Sequence, residues 1–157
     1  MNFTQLVTQS ITRGLKTGLA LAATTNAAIM VASDKECGNP WTAVNVIAHI
    51  VDGDEKEQPL GYSPRESAIG ITVNGTAMAA WGVLYEGVLL LTKTRSNPLT
   101  AVLATITAYV IDYYIVPKQY TPGIEKRLSH KSVLLAYVFL AGTFALSGIW
   151  NKKQGSL

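Results

Sequence analysis

Charge is what this sequence has least of. Charged residues make up 15% of the chain against 48% hydrophobic ones, whereas an ordinary soluble domain carries about a quarter. Cysteine is nearly missing too, and the single Cys37 excludes an internal disulfide while leaving the compartment open. No P-loop, no GxGxxG after a strand, no HExxH and no GxSxG occurs, so nucleophilic catalysis has no visible apparatus and no catalytic residue is assigned. No alternation of period two supports a membrane barrel.

What remains is a set of long apolar runs. Each is close to the roughly 20 residues that a helix of about 1.5 Å rise per residue needs to cross a bilayer core about 30 Å thick. The clearest are Ser67–Leu91, Asn97–Val116 and Val133–Trp150, and Leu15–Ser33 is a fourth with Thr24, Thr25 and Asn26 in its middle. Pro40–Val51 is apolar but short, which fits an interfacial or re-entrant helix. The expected fold is therefore all-α: one integral membrane domain of four transmembrane helices plus that short helix. A net charge of +3 fits basic residues flanking the spans better than nucleic-acid binding.

The first run has two readings. A basic flank, an apolar stretch and Val31-Ala32-Ser33 resemble a cleavable signal. The long leading segment, and the stripe Gly14, Gly18, Ala22, Asn26 at four-residue spacing, favour a retained helix packed closely on a neighbour.

Helix starts are marked by a side-chain acceptor followed by proline, which satisfies free amides and presets the backbone. Asn39-Pro40, Ser63-Pro64, Asn97-Pro98 and Thr121-Pro122 follow this grammar, and Ser63 with Glu66 reads as a capping box. A shift of 58 residues lays Asn39-Pro40 on Asn97-Pro98, Pro59 on Pro117 and Tyr62-Ser63-Pro64 on Tyr120-Thr121-Pro122. The prolines pair completely, so residues 39–64 and 97–122 are a candidate internal repeat, with its halves entering the membrane from opposite sides.

Basic residues are almost evenly divided between the two sides. Arg13, Lys16, Lys93, Arg95, Lys152 and Lys153 fall on one; Lys35, Lys56, Arg65, Lys118, Lys126, Arg127 and Lys131 fall on the other. The first side has no acid in its connecting segments, which inclines the reading to cytoplasmic termini.

Ionisable groups inside a span cost about 2.5–3.5 kcal/mol at its centre, so each is a candidate for function. Glu86 and Asp112 are the two, with Asn74 and Asn26 as further intramembrane polar candidates. Counted from the connection at Thr92–Ser96, Glu86 is about 9 Å deep and Asp112 about 24 Å, too far apart to act as a carboxylate pair. Glu86 shares a face with Gly75, Ala79 and Gly82. It reads either as a proton or cation site, or as a structural acid neutralised by a proton or by Arg13, Lys16, Lys93 or Arg95. Asp112, among Tyr109, Tyr113 and Tyr114, reads as a solvated boundary residue in an aromatic belt, or as part of a cluster with Asn74, His49, Asp52 and His130. His49, Asp52, Asp54 and His130 have the donor chemistry of metal ligands but match no zinc spacing, and no cofactor is assigned.

Three blocks carry a family resemblance: GNPWTAVNVIAHIVDGDE (Gly38–Glu55), AAWGVLYEG (Ala79–Gly87) and AYVIDYYIVPKQYTPGIEKRLS (Ala108–Ser129). Together they resemble a family of small, uncharacterised bacterial inner-membrane proteins. The resemblance covers most of residues 38–130 and points to His49, Gly53, Asp54, Trp81, Glu86, Asp112, Tyr113, Pro117, Pro122, Gly123 and Glu125. A histidine pair associated with the second span in that family is absent, Val73-Asn74 standing there instead, which weakens a metal or haem role. The resemblance implies no activity.

The expectation from the sequence is a non-enzymatic accessory or assembly protein of the bacterial inner membrane. Its partners would be the lipid bilayer and either another membrane protein or a second copy of itself, not nucleic acid. The alternatives are a transporter or proton-conducting protein using Glu86 and Asp112 and, further off, a metal-dependent membrane enzyme.

Overall fold

The computed structural model describes residues 2–152, with side chains to residue 151; Lys153, counted above among the basic residues of one side, lies outside them. Every regular element among these residues is helical. In order they are α1 (Phe3–Cys37), α2 (Thr42–Val46), α3 (His49–Asp52), α4 (Pro64–Leu91), α5 (Pro98–Val110) and α6 (His130–Lys152). A π-helical turn, Ile111–Ile115, extends α5, and two 3₁₀ turns, Lys118–Tyr120 and Ile124–Lys126, precede α6. Four of these helices are long and apolar enough to cross a membrane, and the short apolar piece spans Thr42–Asp52.

The first helix is much longer than its apolar run: 35 residues against Leu15–Ser33. Asn2 and Gln5 close a capping box at its start, with bonds of 2.8 and 3.1 Å, and Gly38 in the left-handed region (φ +73°) ends it. Only glycine adopts that conformation without cost, so the chain turns there.

Small residues decide how α1 meets α4. A Cβ added at Gly82 would lie 2.3 Å from the Gly14 carbonyl oxygen, one at Gly14 would lie 2.3 Å from Val83 Cα, and one at Gly18 would lie 2.5 Å from Ala79 Cα. The two backbones are therefore in direct contact, as the Gly14–Gly18 stripe predicts. Gly75, expected on the same contact face, has nothing within 4 Å of its added Cβ. Helix α1 also packs on α6, and α6 carries α5 on its far side.

Two apolar cores fill the bundle. One gathers Ile29, Val44, Ile47, Ile124 and Val133 around the short helices; the other gathers Leu21, Met78, Leu140 and Phe144, with Tyr85 and Phe144 ring centroids 4.4 Å apart. Among the described residues the backbones of α4 and α5 run apart although the two are consecutive, and their buried side chains meet only through the second core. Hydrogen bonds join them near their connection, where Tyr85 Oη donates to Ser96 Oγ (2.9 Å) and lies 3.1 Å from Thr100 Oγ1.

Three local expectations need correction. Ser63 makes no side-chain cap: its hydroxyl donates to the Glu66 carboxylate, and the Ser67 hydroxyl accepts from the Ser63 amide instead. Lys56 and Arg65 hold Glu66 in place, so it is not free to reach the cap amide. Thr121-Pro122 does not start a long helix, because the Thr121 hydroxyl donates to the Lys118 carbonyl and only a 3₁₀ turn comes after Gly123. The third run is not α-helical throughout, since its last turn widens before Pro117, with Val116 extended as residues before proline prefer.

The two starts of the candidate repeat differ: Asn97 caps α5, whereas α2 begins at Thr42 with no side-chain cap and Asn39 only closes a turn ahead of it. Asn39 Oδ1 accepts from the Trp41 amide at 2.9 Å, and Asn97 Oδ1 from Leu99 at 2.9 Å and Thr100 at 3.1 Å. Beyond these starts the two halves diverge, a broken pair of short helices continuing the first and a span-length helix the second.

Candidate functional site

Glu86 is 3% exposed, and its partners are not the basic residues of its end of the bundle. Thr17 Oγ1 and Asn151 Nδ2 each donate to its Oε1 at 2.9 Å, joining α4 to α1 and α6. Among the residues whose side chains are described, no lysine or arginine reaches it. Thr17 and Asn151 do not stand out in the sequence because neither is ionisable. Their signal is the i, i+4 row Thr143, Ser147, Asn151 on α6, which faces the Thr17-bearing side of α1. Higher in the bundle Thr24 and Thr143 hydroxyls lie 2.9 Å apart, and Asn74 Nδ2 donates to Thr25 Oγ1 (3.1 Å) and Asn26 Oδ1 (3.0 Å). Asn26 and Asn74 are thus interhelical ties, each typically contributing about 0.6 kcal/mol in membrane proteins.

Asp112 belongs to a different centre. Tyr137 Oη donates to its Oδ2 at 2.8 Å. Tyr137 and Asn151 are fourteen positions apart on α6, about 21 Å of helix rise, so the two acids are indeed well separated. Tyr109, Tyr113 and Tyr137 pack on one another with centroids 5.0 to 6.2 Å apart, and Tyr114 alone is strongly exposed. The π turn places Asp112, half-buried, at the wall of a cleft of about 440 Å³ that it shares with Asn74, Thr72, Thr76 and Ala77. The expected neighbourhood of Asp112 and Asn74 is present. His49 and Asp52 take part in other contacts.

Nearer the connection, a second cleft of about 270 Å³ lies between α4 and α5, walled by Trp81, Leu84, Val88, Leu103 and Ala104 among others. It is almost wholly apolar. The first cleft thus lies between α4, the short helices and the π turn, and the second between α4 and α5.

The rim opposite Glu86 is built on Asn45, which is fully buried. Its Nδ2 donates to the Pro59 (2.9 Å) and Gly61 (2.7 Å) carbonyls, while its Oδ1 accepts from Ser67 Oγ at 2.7 Å. One side chain thereby fastens the polar loop before α4 onto α2. Beside it Arg65 grips Asp52 with bonds of 2.6 and 2.8 Å, and Lys56 bridges Asp52 (2.8 Å) and Glu66 (2.9 Å). Hydrogen bonds from Arg65 and then Lys56 hold the Asp52 carboxyl well below the usual range. A carboxyl depressed by folding contributes stability above its unfolded value, near pH 4, and loses that contribution as pH falls toward its folded value. Thermal melts in detergent should therefore fall off below about pH 4, and Asp52→Asn should flatten that acid limb. An unchanged limb in Asp52→Asn would remove Asp52 from the explanation.

His49 is 3% exposed, and its ring is fixed on two sides. Its Nδ1 lies 2.7 Å from the Val46 carbonyl oxygen, which can only accept, so Nδ1 carries the hydrogen. Gly123 (φ +71°) presses on the ring edge, where a Cβ would sit 2.7 Å from His49 Cε1. Nε2 points into a polar pocket of about 300 Å³ with Asp54 Oδ1 3.8 Å away. Of the four metal candidates the structure brings His49 and Asp54 together. Asp52 is committed to Arg65 and Lys56, and His130 is exposed at the start of α6. Among the described residues no group of three or more histidine, cysteine, aspartate or glutamate side chains is arranged to hold a metal.

The fold and its polar centres define a class: an all-α bundle with four membrane-length helices, a buried carboxyl at one level and a half-buried one at another, and a polar rim. No family model, curated protein or solved structure matches the chain. The motif resemblance therefore rests on the residues that carry it.

Proposed function

We propose that this chain is a non-enzymatic accessory or assembly protein of the bacterial inner membrane, with cytoplasmic termini, which receives a partner's transmembrane helix between α4 and α5. The observation that supports this reading is the open apolar face left where those two helices diverge. Ala77 and Ala80 in one cleft and Ala104 in the other leave room for a helix to approach closely. The motif resemblance to small bacterial inner-membrane proteins supports the compartment, and the acid-free connections on the Arg13 side support the orientation.

A photo-crosslinker placed at Leu103 in cells tests it. A discrete heteromeric adduct is expected, and Ala104→Phe, which fills the cleft, should reduce its yield by about tenfold. An adduct of twice the chain's mass would identify a second copy as the occupant instead. Adducts to lipid alone would sink the proposal.

A second reading, cation or proton passage, is favoured by Asp112 standing with Asn74 in a cleft rather than in a packed core. The sealed position of Glu86 counts against a path running through both acids. Flux into liposomes that is unchanged in Asp112→Asn would eliminate this reading.

A further inference from the structure

We infer that the pocket walled by His49, Asp54, Gln58 and Arg127 binds a small zwitterion bearing a primary ammonium next to an anionic group, the chemistry of a phosphoethanolamine headgroup. The pocket is distinct from the α4–α5 face, being formed by the loop after α3 and the 3₁₀ turn before α6.

The polar atoms there divide into those with partners and those without. With Nδ1–H committed to the Val46 carbonyl, the uncharged ring carries its lone pair at Nε2, and that buried atom has no hydrogen-bond partner. Gln58 is 6% exposed; its Nε2 donates to the Lys56 carbonyl at 3.3 Å, and its Oε1 is buried and likewise unpartnered. A buried acceptor left unsatisfied is costly, so two of them lining one pocket call for a donor. The ammonium groups nearby do not serve them: Lys126 Nζ lies 2.6 Å from Asp54 Oδ1, Lys56 is turned to Asp52 and Glu66, and neither bonds His49 Nε2 or Gln58 Oε1. The unspent capacity is acceptors, from His49, Gln58, the second Asp54 oxygen and Glu57, together with one cation, Arg127, which enters none of the ion pairs among the described residues.

A primary ammonium offers three N–H donors to a wall of that kind, and a guanidinium beside it suits a phosphate or carboxylate. A dication is less suited, because Lys56, Lys126 and Arg127 all border the pocket and only His49 offers a nitrogen ligand. The position at the membrane-flanking rim makes a lipid headgroup one source of this chemistry and a free phosphoethanolamine the other.

The test is native mass spectrometry of the full-length protein released from nanodiscs of phosphatidylethanolamine, phosphatidylcholine or phosphatidylglycerol. Phosphatidylcholine keeps the charges but has no N–H donor; phosphatidylglycerol has no cation. Retention of phosphatidylethanolamine over both by about tenfold is expected, with the preference lost in Gln58→Met and in Arg127→Gln. Displacement of the lipid by soluble phosphoethanolamine would confirm the headgroup as the part recognised. Binding of soluble phosphoethanolamine without lipid preference would uphold the site and assign it to the free ligand. Equal retention of phosphatidylethanolamine and phosphatidylcholine, without phosphoethanolamine binding, overturns the inference. So does zinc binding that depends on His49 in place of any lipid preference. The comparison of lipids on the unaltered protein decides the matter even where a variant fails to fold.

Discussion

Gly82→Ala should destabilise the bundle by about 2 kcal/mol or more, while Gly75→Ala, seven residues earlier on the same helix, should be neutral or slightly stabilising. The added methyl at Gly82 meets backbone on three sides: the Gly14 carbonyl at 2.3 Å, the Gly18 amide at 2.6 Å and Gly18 Cα at 2.9 Å. None of these is the flexible end of a side chain, so α1 and α4 must separate along the face they share. That separation also moves Thr17 away from Glu86 and leaves a buried carboxyl with one donor fewer. At Gly75 the added carbon meets nothing within 4 Å, and alanine's better helix propensity is all that changes. Thermal melts of both variants in one detergent check the contrast. Equal melting temperatures would mean that the glycine contact does not hold the helices together.

Asn45→Ala should have the second largest effect, about 3 kcal/mol or more, since it strands several partners at once. The Pro59 and Gly61 carbonyls lose their donor, Ser67 Oγ loses its acceptor, and a cavity remains at a fully buried position. Asn45→Asp separates shape from hydrogen bonding, because a carboxylate fits the volume but cannot donate to two carbonyls. Both variants should also make residues 53–63 newly sensitive to protease, with the cuts ahead of α4. Melting and cleavage unchanged from the parent would sink this account of the rim.

These two residues also mark how far a sequence can be read. Gly82 was visible because close packing of helices leaves a trace of small residues on one face, here Gly75, Ala79 and Gly82, although Gly75 proved to lie outside the contact. Asn45 left no trace: it is one asparagine in an apolar dozen, and its three partners come from the loop and from the next helix. The same divide runs through the caps. Asn97 caps a helix whose first amides are its immediate neighbours, so local grammar sufficed. Ser63 obeyed the same grammar and failed, because Lys56, from the loop before it, together with the adjacent Arg65 had claimed Glu66.

The acids repeat the lesson. Their separation could be counted along helices, but the partners of Glu86 could not, as Thr17 and Asn151 lie 69 and 65 positions away. Asp112 was legible as an ionisable residue near one surface. The cleft beside it depends on a π turn, whose widened register no pattern of apolar residues announces.

The spanning helices are of very unequal length. Helix α1 has 35 residues and α4 has 28, whereas the segment Pro98–Ile115 has 18, and a bilayer core is about 30 Å thick. At about 1.5 Å per residue these helices are near 52, 42 and 27 Å long. A membrane closing around this bundle meets at Pro98–Ile115 a helix slightly shorter than its core, so the hydrocarbon must thin on that flank unless the bundle leans. That flank adjoins the open face beside α4. A neighbour docking there would relieve the bilayer of the deformation as well as cover the groove, giving association a contribution from the lipid in addition to the contacts themselves.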